Sequence, residues 1–132
     1  MGDRVNLLDA RGKLGAALEP LTDGDPAVLV DLVDSLEPPA LVLGWGEPWL
    51  TPQTSCLATG RLVVTCVATR LVPGAGVEQL EQLITYTLGR LAISGGAWPL
   101  DSVSGPRVFT IANVNYLAAR IVVRVPITTG GP

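Results

Sequence analysis

There is no histidine anywhere in this chain of 132 residues, and lysine, methionine and phenylalanine occur once each. The missing imidazole removes the commonest general base and the commonest metal ligand. The carboxylates and arginines stand singly along strand-like and helix-like patterns. An enzyme site normally gathers and perturbs titratable groups in one pocket, so this distribution argues for a protein that acts through its surfaces. Charge is scarce as well, at 16% of residues against roughly 25% in an average domain, while 48% are hydrophobic. Such a surface carries unusual apolar area and implies partners. The longest apolar runs, such as Ala40 to Leu43, fall far short of the ~20 residues that span a bilayer. Met1 to Ala10 lacks the basic head and apolar middle of a signal peptide, so the expectation is an intracellular protein or part of an intracellular assembly.

The length suits one domain, 1–132, with frayed ends at 1–3 and 128–132 and a core that buries roughly 65–70% of the unfolded chain's surface. Nine cations against twelve carboxylates give a formal charge of −3. The cations Arg4, Arg11, Lys13, Arg61, Arg70, Arg90, Arg107, Arg120 and Arg124 are spread along the whole length without a basic stripe, which argues against tight nucleic-acid binding. Cys56 and Cys66 stand ten residues apart on what reads as one extended segment, out of reach of each other, as free thiols of a reducing compartment.

Val5, Leu7, Leu8, Leu14 and Leu18 fit a short helix weakened by Gly12 and Gly15, with Asp9 and Lys13 one turn apart. The stretch from Ala27 to Leu36 reads as strand or helix, the strand being favoured, and Pro38-Pro39 ends it. Ala40 to Gly44 reads as a short buried strand. Beyond it, two tryptophans, two glycines and two prolines between Gly44 and Pro52 predict a shaped loop. Leu57 to Arg70 alternates as a long strand, with Leu62, Val64, Cys66 and Ala68 on the drier face. Val77, Leu80, Ile84, Leu88 and Leu91 recur at helical spacing, with Glu78 and Glu81 early and Arg90 late to suit the helix dipole. Gly95 to Gly105 reads as a second loop. Arg107 to Ala112 and Tyr116 to Val125 then form an antiparallel hairpin around Asn113-Val114-Asn115. The expected fold is α+β, a mostly antiparallel sheet of about five strands with two helices packed on one face.

Three chemical readings fail on their residues. Gly74-Ala75-Gly76 between strand and helix resembles a phosphate-binding turn, but Gln79 stands where the third glycine belongs and no acidic residue follows at the right place. A plain connection is the simpler account. Asp31, Asp34 and Glu37 match no metal-loop spacing and read as a solvated acidic edge or the rim of a protein contact. Ser55 or Cys56 as a nucleophile has no base beside it. The expectation is therefore no catalytic residues, no metal and no cofactor.

Trp45, Trp49 and Trp98 make up half of the six aromatic side chains, and each lies in a Gly/Pro-rich connection. They either fill the core at the end of the sheet or form an interface, where a large stiff ring buries much area at little entropic cost. Arg61, Arg120 and Arg124 fall on the wetter faces of their strands. If those strands are neighbours, they form a row of cations, either solvated or paired with a partner's acidic groups.

The run from Asp34 to Trp45 (DSLEPPALVLGW), the 57–70 strand, the 77–91 helix, Ser102-Val-Ser-Gly-Pro-Arg107 and Asn115-Tyr116-Leu117 together carry a resemblance. Over roughly residues 25 to 127, in the order and spacing of its elements, the chain resembles the small tail terminator or tail completion proteins of long-tailed bacteriophages, particularly those infecting actinobacteria. The resemblance implies an α+β subunit forming a hexameric ring at the head-proximal end of the tail tube, where it stops tube polymerisation and offers a surface to the head. It implies as partners further copies of itself, the major tail tube protein and a head completion or connector protein, with DNA only as cargo passing through the lumen and no membrane. It brings no catalytic residues, and it pairs the Ala27 to Leu32 strand with Ala40 to Gly44. The location it implies is the virion tail, assembled in the host cytoplasm.

The acidic balance fits, because a neutral or negative lumen does not hold duplex DNA. In this reading the 77–91 helix and a sheet edge form the ring contact, and the loops Gly44 to Thr54 and Gly95 to Gly105 reach the tube or head. Another head-tail connector, a minor tail subunit or a non-viral oligomeric adaptor stand as alternatives. A small hydrolase or ligand-binding domain is the remaining one.

Overall fold

A computed structural model of the chain describes residues 7–19, 26–29, 38–54, 57–70, 74, 76–93 and 98–128. In chain order its elements are α1 (Leu7–Ala17), β1 (Ala27–Leu29), β2 (Ala40–Pro52), β3 (Leu57–Arg70), α2 (Val77–Ile93), β4 (Leu100–Val103), β5 (Arg107–Ile111) and β6 (Val114–Thr128). The six strands make one mixed, mostly antiparallel sheet in the order β1-β2-β3-β6-β4, with β5 also paired to β6. Only β1 runs parallel to its neighbour, setting Ala27 to Leu29 beside Ala40 to Val42. The expected α+β architecture is the observed one.

The β3–β6 ladder is the spine. It runs from Leu57 opposite Thr128 to Arg70 opposite Tyr116, with one irregularity between Val67 and Thr69. Since directly opposed residues share a face, one side of the sheet gathers Leu41, Leu43, Leu62, Val64, Cys66, Ala119, Ile121 and Val123. Ala10, Leu14 and Leu18 of the α1 stretch and Leu80, Leu83 and Leu91 of α2 close over these, so both helices pack on that face. The other face holds a smaller cluster of Ala40, Val42, Val67, Ile111, Tyr116 and Ala118, with Phe109 and Val114 at its margin. Arg90 ties the helices together: its Nη2 donates to the carbonyls of Ala17 (3.0 Å) and Glu19 (2.8 Å), satisfying acceptors that the end of α1 leaves open.

The α2 stripe is turned slightly from the one expected. Val77 is 57% exposed, while Leu83 and Thr87 face inward. Thr87 is tolerated there because its Oγ1 donates to Leu83 O at 2.8 Å and lies 3.8 Å from Cys66 Sγ. Gly76, just before α2, has φ +101°, and a Cβ there would meet Thr69 Cγ2 at 2.8 Å and Leu117 Cδ2 at 2.9 Å. Close packing thus accounts for this glycine without any phosphate.

The expected loop at Gly44 to Thr54 is corrected: β2 continues as strand to Pro52. It survives its breakers because β1 covers only Ala40 to Val42, leaving the outer side of β2 unpaired among the described residues, and a proline on such an edge forfeits no ladder bond. The irregularity is instead a bulge. Trp45 pairs with Leu62 and Leu50 with Gly60, so Gly46 to Trp49 stand opposite Arg61 alone. Gly46 makes this possible, since a Cβ at that position would lie 2.5 Å from Arg61 Cβ.

The Gly95 to Gly105 loop is likewise corrected, for it contains β4, an edge strand exposed along its whole length. The hairpin turn sits one residue earlier than expected. Ala112 (φ 49°) and Asn113 (φ 65°) form a two-residue turn, left-handed at both positions to match the twist of its strands. The strand expected to run on to Leu36 is described only to Leu29. Asp31, Asp34, Glu37, Ser55 and Cys56 lie outside the described residues.

Candidate functional site

Trp45 and Trp49 flank the β2 bulge, which brings their ring centroids to 5.5 Å in an edge-to-face arrangement at 66°. They remain 42% and 52% exposed. On the open side Arg11 of α1 places its guanidinium 4.5 Å from the Trp45 ring centre, a cation–π contact that holds one indole in place. Leu50 is exposed close by in sequence, on the same strand. The pair is thus a preformed aromatic surface, not core filling.

Trp98 takes a different position. It is half-buried against the main core, and with Leu88, Leu91, Ala92 and Leu100 it lines a shallow apolar groove beside β4. Leu100 pairs with Val123, Val123 with Leu62 and Leu62 with Trp45, which puts three strand spacings, about 14 Å, between the two aromatic sites. The three tryptophans expected to act together are divided between opposite margins of the sheet.

The three arginines singled out from the sequence do come together. Arg61 and Arg124 are directly opposed across β3 and β6, and Arg120 lies four residues further along β6, about 13 Å away. Asp101 of β4 answers the first two, with Oδ2 3.5 Å from Arg61 Nε and Oδ1 4.0 Å from Arg124 Nε. Arg61 also donates from Nη1 to Thr51 Oγ1 at 2.7 Å. The acidic partner of these two cations is therefore a residue of this same chain. Arg120 stays exposed, with its backbone N–H donating to Ser104 Oγ at 3.0 Å.

Two cations that the sequence did not single out join the same face. Arg107 is opposed to Ala118 and Arg70 to Tyr116, both on the side of Arg120. Five of the nine cations thus share the sheet face turned away from the helices, although they are scattered along the sequence. Period-two alternation placed Arg61, Arg120 and Arg124 on the wet side of their strands, but put Arg70 in step with Leu62 and Val64; the irregularity between Val67 and Thr69 moves it across, and only the register assembles the five.

Cys66 lies beneath α2, fully buried. Burial pushes its thiol from 9.0 up to about 11, the Thr87 hydroxyl pulling modestly the other way, so it stays protonated and inert at neutral pH. Among the described residues no three His, Cys, Asp or Glu side chains are grouped as a metal site. No helix among them is long and apolar enough to cross a membrane. Comparison with known proteins finds no family model that matches the chain and no similar curated protein.

Proposed function

We propose that this chain is a structural virion subunit without enzymatic activity. It caps the head-proximal end of a phage tail tube as a hexameric ring, ends tube polymerisation and forms the joint with the head. The observation that carries this reading is the Trp45–Trp49 pair, a large exposed aromatic surface on a stretch of β2 whose outer side is unpaired among the described residues. At the other margin of the sheet, β4 is exposed along its whole length. A subunit with two different open margins suits head-to-tail contacts, which close into a ring when the rotation allows. Its partners in this reading are further copies of itself, the tail tube protein and a head completion protein, and DNA crosses the lumen without being held.

The test is deletion of the gene from the phage that encodes it, followed by negative-stain electron microscopy of the particles. Filled heads beside detached, over-long tubes are expected. Tubes of normal length still joined to heads would overturn the proposal.

A further inference from the structure

Among the described residues, the sheet face opposite the helices gathers cations while the outward flank of α2 carries carboxylates. Arg61, Arg70, Arg107, Arg120 and Arg124 share that face, and the one carboxylate shown among them is Asp101. That gives the face a formal charge of +4. The whole chain, with nine cations and twelve carboxylates, has a formal charge of −3. Along β6 the row from Arg124 to the level of Tyr116, where Arg70 sits, covers about 27 Å.

On the opposite side of the molecule, the outward flank of α2 is acidic. Glu78 and Glu81 are exposed there beside Gln82 and Thr85, and these four line a recess of about 440 Å³. The one basic residue in the last turn of α2, Arg90, is bent back onto the end of α1, so α2 itself puts no positive charge on that flank. Val77, beside Glu78, adds exposed apolar area.

From this segregation we infer that the arginine face of one copy docks on the Glu78/Glu81 flank of α2 in a second copy. The two surfaces differ and point in opposite directions, so the contact is heterologous, and each copy keeps one free surface of each sign for the next. Opposed fields of this kind steer the encounter and fix its register more than they add affinity, and salt weakens them. A net-acidic chain, at −3 overall, favours this occupant over nucleic acid, because its overall charge repels a duplex. The inference deepens the ring reading by naming the contact within it.

The experiment uses two charge-reversed full-length chains, Arg107→Glu/Arg120→Glu and Glu78→Arg/Glu81→Arg. All four positions are exposed, and folding is confirmed by thermal unfolding. Wild type is expected to self-associate in low salt by analytical ultracentrifugation and to dissociate as salt is raised. Each variant alone should lose at least ~100-fold in association constant. Mixed together, they should assemble again with the two chains alternating, because the intact face meets the intact flank and the reversed face meets the reversed flank. A chain with all four reversals should assemble again.

A wild type that stays monomeric, variants that each assemble normally alone, or a mixture that does not assemble would each overturn the inference. So would duplex DNA binding that the Arg107→Glu/Arg120→Glu chain loses while its self-association is unchanged. Normal tail tubes after gene deletion, combined with restored assembly in the fourfold variant, would sink the ring function and leave this contact standing.

Discussion

The two faces of the sheet are built from the same strands and do opposite things. Beneath the helices, Leu62, Val64, Cys66, Ala119, Ile121 and Val123 are fully buried, and their contribution is the free energy of removing apolar surface from water. On the other face the same strands present Arg61, Arg120 and Arg124, with only a small apolar cluster near the hairpin. A one-residue step along β6, from Arg120 to Ile121, passes from solvent to core. Along this part of β6 burial under the helices and exposed charge thereby fall on alternate residues, while the second face keeps the buried cluster of Ala40, Val42, Val67 and Ala118.

The sharpest way to break this contrast is at that step. Ile121→Ala leaves a cavity under both helices and should cost about 4 kcal/mol in urea unfolding, whereas Arg120→Ala should fall within about 0.5 kcal/mol of wild type. Equal losses would mean that the arginine face also holds the fold together.

A second probe is alkaline pH. The Cys66 pKa is raised in the folded state, so the stability gained by keeping the thiol neutral is whole below about pH 9 and is lost as pH climbs through about 11. The loss should reach about 3 kcal/mol. Denaturant midpoints measured across that range should fall in wild type and flatten in Cys66→Ala, whose baseline is lower at neutral pH.

The smallest effect belongs to the exposed edge. Trp49→Ala should shift stability by less than about 1 kcal/mol, because half of the ring is already in water, yet if the proposed ring role holds it should abolish assembly. An unfolded variant would assign the ring to the core.

How much of this was legible in the chain depended on how local each signal was. α2 and β3 announced themselves through apolar period, and the β5–β6 hairpin through alternation around Asn113, since each pattern is complete within its own segment. β2 did not, because Pro48 and Pro52 end a strand only if their missing N–H was needed, and the free edge left by a three-residue β1 removes that need. β4 escaped notice for a related reason: Leu100 to Val103 has no buried alternation, being exposed throughout and tied to β6 by backbone bonds. Of the candidate site, the exposure of the tryptophans was one of two open readings. The arginine face was half visible, since periodicity gives the side of a strand and only register gives its neighbours.

The edge-to-face contact of Trp45 with Trp49 has a spectroscopic consequence. Two indoles held this close couple their electronic transitions, so the far-ultraviolet circular dichroism of the native chain contains an exciton contribution that no strand or helix produces. Removing either ring deletes that band and imitates a loss of secondary structure. For variants at this edge, folding is better followed by the emission of Trp98, the one indole packed against the core, which reports the interior while the coupled pair reports the rim.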